Sequence, residues 1–148
     1  METLNDFMSF WFAYPSPYNA LDVAFSEENS PNTPENVRSW IYATFKNSCC
    51  IRLSHSLNSS ICHTIPKNTR ARTVVGAKGN YIYAVPDFSN YLKDRYGNPT
   101  HIWPDPKDKW KKIGERKTKL QFRQELKKKR GIILFFDYVG GARGHADL

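Results

Sequence analysis

The sequence predicts an α+β fold in which short helices come first and a small antiparallel sheet follows. Three observations carry that expectation. Apolar residues recur at helical spacing in several short segments before residue 60, β-branched and aromatic runs at 72–75 and 81–85 flank a glycine-rich turn, and an apolar run at 132–136 precedes a second glycine-rich turn. With 148 residues, 40% of them hydrophobic and 14% aromatic, the chain is long enough to bury a core as one domain.

Taken in order, Leu4, Phe7, Met8 and Trp11 fall at i, i+3, i+4 and i+7, which predicts an amphipathic helix over 5–13 ended by Tyr14-Pro15-Ser16-Pro17. Residues 18–34 are rich in Asn, Ser, Pro and acid and read as a surface loop with at most a short helical turn. Thr33-Pro34-Glu35 is the pattern of an N-cap followed by Pro at the first helical position, and it opens a helix carrying Val37, Trp40 and Ile41. A further helix spans 48–58, with Asn47-Ser48 as its cap and Cys50, Leu53 and Leu57 on one apolar face. Asn58-Ser59-Ser60 closes it and is also a glycosylation sequon, irrelevant without a secretory signal. The strands at 72–75 and 81–85 make a hairpin about Gly76 to Asn80. Asp87 is the expected cap of a helix bearing Phe88, Tyr91 and Leu92, stopped by Gly97. Residues 98–106 read as a loop, 118–129 as a Lys-rich helix with Phe122 and Leu126 inward, and 132–136 as a central buried strand.

Charge is unevenly spread. The chain carries a net +8, and the segment from Lys107 to Arg130 alone holds twelve Lys or Arg against three acids, a net +9. Such a run suits an anionic envelope, nucleic-acid phosphates or a solvated helix face. The aromatic motifs and zinc fingers of nucleic-acid readers are missing, so nucleic acid is not the expected partner. No stretch reaches the ~18 apolar residues of a membrane span, and no charged-then-apolar leader follows Met1. A chain made in the cytoplasm and exported without a cleaved signal peptide is the expectation. The three cysteines, two of them adjacent, do not make a disulfide framework, and Cys49, Cys50, Cys62 and His63 lack zinc-ligand spacing.

The chemistry is concentrated at two places. A cysteine in the first turn of a helix meets unpaired backbone N–H groups and the positive end of the helix dipole, which stabilise a thiolate. Cys49 and Cys50 point about 100° apart, and Cys50 shares the face of Leu53 and Leu57, which leaves Cys49 as the candidate nucleophile. The same residues also fit two small buried side chains. At the chain end His145 follows a glycine turn and a buried strand, where a helix-borne cysteine would find its general base. His55 lies on the far side of the cysteine helix, and His63 and His101 fall in loops where a solvated imidazole is expected. A cysteine–histidine hydrolase is the leading hypothesis. The alternative is a basic nucleic-acid- or envelope-binding module whose cysteines belong to the core.

The chain resembles a family of type VI secretion amidase effectors that cut peptidoglycan, the group numbered four. The resemblance rests on Phe10-Trp11 to Tyr14-Pro15, Asn47-Ser48-Cys49-Cys50-Ile51-Arg52-Leu53-Ser54 with Leu57-Asn58, Arg72-Thr73-Val74-Val75-Gly76-Ala77, the 87–97 helix with Tyr91-Leu92, and Gly131-Ile132-Ile133 leading to Gly144-His145-Ala146-Asp147-Leu148. It implies a papain-like architecture, with the nucleophile helix packed on the sheet, Cys49 as nucleophile and His145 as base. It further implies cleavage between D-glutamate and diaminopimelate without a cofactor, a cognate immunity protein and the secretion machinery as partners, and action in the periplasm of target cells. The family pattern runs on to an aspartate that orients the histidine, whereas this chain ends at Leu148. Residues 1–148 are therefore expected to form one amidase domain without that tail, with Asp147 a weak substitute and catalysis weakened if the third residue is absent.

Overall fold

The computed structural model describes residues 7–45, 48–60, 63–102, 104, 111–112, 116, 118–127, 129–136 and 144–148, with the backbone alone for 144, 145 and 147. The element order is α1 (Phe7–Ala13), α2 (Ala20–Phe25), α3 (Glu35–Thr44), α4 (Cys49–Ser59), β1 (Thr73–Gly76), β2 (Gly79–Ile82), α5 (Val85–Tyr96), α6 (Lys119–Leu126), β3 (Ile133–Phe136) and β4 (Gly144–Asp147). Four helices thus precede the first strand, α5 and α6 fall between the two strand pairs, and the architecture is α+β as the sequence predicts. Among the described residues the strands form two separate antiparallel pairs, β1 with β2 and β3 with β4.

Helix α4 is the element the rest is built on. It packs against α1, α2, β2 and β4, and every residue from Cys49 to Leu57 except Arg52 is buried. Its two flanks feed two cores. Cys49, Cys50, Leu53 and Leu57 join Phe10, Ile82, Phe88 and Ala146 in one, while Ile51 joins Phe25, Ile41 and Tyr81 in the other. A helix apolar on more than one side has to be central, because neither stripe can be left to water.

The first hairpin is tighter than the five-residue turn expected from the sequence. Gly76 pairs with Gly79, so only Ala77 and Lys78 lie between them, and Gly79 takes φ 110°, a conformation open to glycine and rare for other residues. A Cβ on Gly76 would lie 2.6 Å from both the Ala24 carbonyl oxygen and the Phe25 ring, which is how closely the hairpin seats on α2. The Ala77 N–H donates to the Ala24 carbonyl at 2.8 Å and fixes that seat.

Several expectations are corrected. The inward side of α1 is Phe10 and not the Met8 and Trp11 stripe: Met8 and Trp11 are exposed, and Leu4 lies outside the described residues. The cause is its neighbour α4, whose Ser56 hydroxyl donates to the Phe10 carbonyl at 2.9 Å and draws that side inward. The loop over 18–34 contains α2, with Phe25 fully buried. Thr33 is not the cap of α3; Pro34 holds that position, and the Thr33 hydroxyl donates to the Val75 carbonyl instead. Helix α5 starts two residues before Asp87, with Pro86 in its first turn. The run at 132–136 is not a central strand: β3 pairs with β4, and Phe135 and Phe136 stay exposed. Thr118 does cap α6 through a capping box with Gln121, and Phe122 and Leu126 are half-buried. Gly97, with φ 87°, ends α5 as expected.

Candidate active site

Cys49 is the first residue of α4, with Ser48 at the N-cap and Asn47 outside the described residues. The Ser48 side chain makes no capping bond, although its carbonyl accepts the Arg52 N–H at 2.9 Å. Cys49 therefore sits in the first turn, where backbone N–H groups lack helical acceptors and the dipole favours negative charge. The sequence separates the two, with Cys50 on the core face and Cys49 off it, but the structure buries both. Cys49 is 5% and Cys50 2% exposed, and both join the same core.

The two thiols differ in their electrostatics. Cys50 is pushed far up from the ordinary thiol range, first by its hydrogen bond to Cys49, then by burial, and then by the negative charges of Cys49 and Asp87. Two adjacent thiols in one core cannot both carry a negative charge, so the pair holds at most one thiolate.

The rest of the cysteine segment fixes α4 in place. Arg52 Nε donates to the Pro15 carbonyl at 2.8 Å, and its guanidinium lies 4.0 Å from the Tyr14 ring centre, tying α4 to the α1–α2 connection. His55 Nδ1 lies 2.9 Å from the Tyr81 hydroxyl, which also accepts the Lys78 N–H. His55 is buried on the flank away from the cysteine face, so its role is structural. His63 departs from the solvated-loop expectation: it is 4% exposed, packs its ring against Phe10 and pairs with the Tyr96 hydroxyl at 2.8 Å. His101 is exposed, as read from the sequence.

His145 lies on β4 opposite Phe135, and β4 packs against α4. Ala146, next along β4, is fully buried in the core that holds both cysteines. The structure therefore brings the strand bearing His145 and Asp147 to the cysteine helix, while the side chains of those two residues lie outside the description, as do Cys62 and most of the basic segment from Lys107 to Lys117. Among the described residues no cluster of three or more His, Cys, Asp or Glu could hold a metal ion, and no helix is long and apolar enough to cross a membrane.

Asp87 is the residue that sequence reasoning missed. Read as a helix cap, it lies in the first turn of α5, receives Arg72 Nε at 2.6 Å and puts its charge close enough to disfavour a second thiolate at Cys50. No local pattern betrays this, because α4 and α5 come together only through one core, in which Val85, Phe88 and Tyr91 join both cysteines.

The Tae4 effector of Salmonella typhimurium, in its effector–immunity structure with Tai4, superposes with a TM-score of 0.62 at 25% identity over 95% of this chain and 77% of that one. Tae4 from the Enterobacter cloacae Tae4–Tai4 complex gives 0.52 at 26% identity over 90% and 77% of the two chains. No curated protein matches. The fold is the papain-like one of those effectors, with α4, the helix bearing both cysteines, packed against β2 of one strand pair and β4 of the other. Residues 45–148, running from just before α4 to the end of β4, match the family described as type VI secretion system amidase effector protein 4, Tae4, and the chain belongs to that family.

Proposed function

We propose that the chain is a cysteine amidase that hydrolyses peptidoglycan stem peptides, with Cys49 as nucleophile and His145 as its general base, in one domain spanning residues 1–148. The observation that carries the reading is the position of Cys49 at the first residue of α4, a helix packed against the strand that bears His145. The Cys49 thiolate attacks the amide carbonyl, and the oxyanion forms beside the Cys49 backbone N–H at the helix start, a donor already fixed in direction. The His145 imidazolium then protonates the leaving amine. Water, deprotonated by the same imidazole, hydrolyses the thioester and frees the sulfur. Asp147, two residues along β4, is the nearest acid in sequence and a weak candidate to orient the imidazole. Cys50, on the apolar face of Leu53 and Leu57, is the core member of the pair and not the nucleophile.

The resemblance implies the bond between D-glutamate and diaminopimelate, with no cofactor. Delivery by the secretion machinery, action in the periplasm of target cells and neutralisation by a cognate immunity protein complete the reading of an antibacterial toxin. The solved relatives are complexes with Tai4, which supports the last of these.

The test is hydrolysis of a purified muropeptide. Cys49→Ala loses about 10⁴-fold or more in kcat with the fold intact by circular dichroism, whereas Cys50→Ala keeps most of the activity. Activity lost with Cys50 and retained with Cys49 overturns the assignment. His145→Ala moves the pH profile of Cys49 alkylation towards the ordinary thiol value of about 8.5; an unchanged profile means that another group is the base.

A further inference from the structure

Three aromatic rings meet at the surface where α3 ends and β2 ends. The Trp40 ring of α3 lies 5.3 Å from that of Phe45, the C-cap residue of the same helix, and 5.7 Å from that of Tyr83, while Phe45 and Tyr83 lie 5.2 Å apart. Phe45 and Tyr83 are half-buried and rooted in the core of Phe25, Ile41 and Tyr81, whereas Trp40 is 44% exposed. Trp40 stands nearly perpendicular to the other two, at 85° and 87°, so the rings form an angled seat and not a flat apolar patch.

The seat has a polar rim and a fixed place beside the cysteine helix. The Arg72 guanidinium lies 5.8 Å from the Tyr83 ring centre, its Nε is held by Asp87 at 2.6 Å, and its side chain is 65% exposed, which leaves donors for a ligand. Asp87 also lines a groove of about 310 Å³ between the turn before β1 and α5, so the ion pair joins the seat to that groove. Phe45 stands four residues before Cys49 and can be no more than about 14 Å from it. Such a seat suits a sugar. A pyranose offers polarised C–H groups to the negative face of an aromatic ring and hydroxyls at its edge, and an acetamido group adds a methyl for a second ring and a carbonyl for a guanidinium. A lipid tail or an apolar helix has no use for the guanidinium.

We propose that Trp40, Phe45 and Tyr83, with Arg72 at their rim, seat the N-acetylated sugar from which the stem peptide hangs. The inference rests on the amidase reading and deepens it by extending the substrate from the peptide to its glycan. A lactyl group and two amino acids separate that sugar from the D-glutamyl carbonyl, a span of about 10 Å when extended, which matches the reach from Cys49 to Phe45. Trp40 contributes through its ring face, and Arg72 donates to the acetamido carbonyl.

The experiment compares a disaccharide tetrapeptide with the same tetrapeptide lacking the sugars, on the full chain and on Trp40→Ala and Trp40→Tyr. The parent favours the disaccharide tetrapeptide by about fivefold in kcat/KM, Trp40→Ala brings that ratio close to one through KM, and Trp40→Tyr, which keeps a ring face, recovers part of it. If Trp40→Ala fails to fold, the preference of the parent and its partial loss in Trp40→Tyr decide the question. Equal use of the two substrates by the parent, or a proportional loss on both in the Trp40 variants, overturns the sugar seat while leaving the amidase standing. A parent that cleaves neither substrate overturns the amidase reading and the seat with it.

Discussion

His55 joins a buried imidazole to a buried phenol, and its titration has a defined sign. Burial, followed by the charge of Lys78, lowers its pKa from the ordinary value of 6.5. The unfolded chain therefore binds the proton more readily than the folded one. The stability given by neutral His55 is fully present above about pH 6.5, and it is lost progressively as pH falls from there towards the lowered folded value. The Tyr81 hydroxyl, which accepts the Lys78 N–H, still has its own proton to offer to His55 Nδ1, an interaction that needs the ring neutral. Thermal unfolding followed between about pH 7.5 and about pH 5.5 should show a fall in Tm for the parent and a smaller fall for His55→Gln. Equal falls would mean that the imidazole is not the group being charged. This histidine, like His63, could be found in the sequence but not understood there, because the phenols that partner them stand more than twenty residues away.

At the scale of elements, α4 acts on β2 as a neighbouring strand would. The Ser54 hydroxyl donates to the Ile82 carbonyl at 3.1 Å and accepts the Ile82 N–H at 3.0 Å, so one side chain satisfies both backbone groups of a buried residue. One helical turn on, Asn58 donates to the Asn80 carbonyl at 2.6 Å and accepts the Ile65 N–H at 2.8 Å. The polar residues at i and i+4 thus close the open edge of the hairpin, and Asn58 is a structural clamp before it is part of a sequon. Ser54→Ala leaves two buried backbone groups without a partner and should cost about 2 kcal/mol or more in urea unfolding, whereas exposed Ser59→Ala should stay within about 0.5 kcal/mol. Similar small losses at both positions would show that water or a shifted strand replaces the hydroxyl. The helix itself was legible from Cys50, Leu53 and Leu57. What the spacing could not convey was that Ile51 faces a second core, or that Phe10 outranks Trp11 in α1, because burial is decided by the neighbouring element and not by the period of one segment. The same limit explains β3, whose apolar run looked central although only β4 pairs with it among the described residues.

For the whole molecule, a first-turn cysteine and a late histidine could be read in the sequence only as chemistry in search of a geometry, and the structure packs the elements that bear them, α4 and β4, against each other. The groove between the turn before β1 and α5 was invisible in the sequence, since Arg70 and Asp94, which line it, belong to a turn and a helix that meet only after the hairpin has folded between them. Net charge acts on a longer scale than either feature. With +8 on the chain and Lys127, Lys129 and Arg130 exposed after α6, the molecule carries a field suited to an anionic polymer far larger than the groove. That field should matter for capture of intact sacculi and not for turnover of a small soluble fragment. Replacing Lys127, Lys129 and Arg130 with Gln should lower sedimentation with purified sacculi several-fold at about 0.01 M salt, where the screening length is about 30 Å, and muropeptide turnover should stay within about twofold. At about 1 M salt the length falls to about 3 Å, and parent and variant should bind sacculi alike. A binding difference that survives high salt would mean that these side chains make short-range contacts with the polymer, and a parallel loss of muropeptide turnover would place them at the substrate instead of in the long-range field.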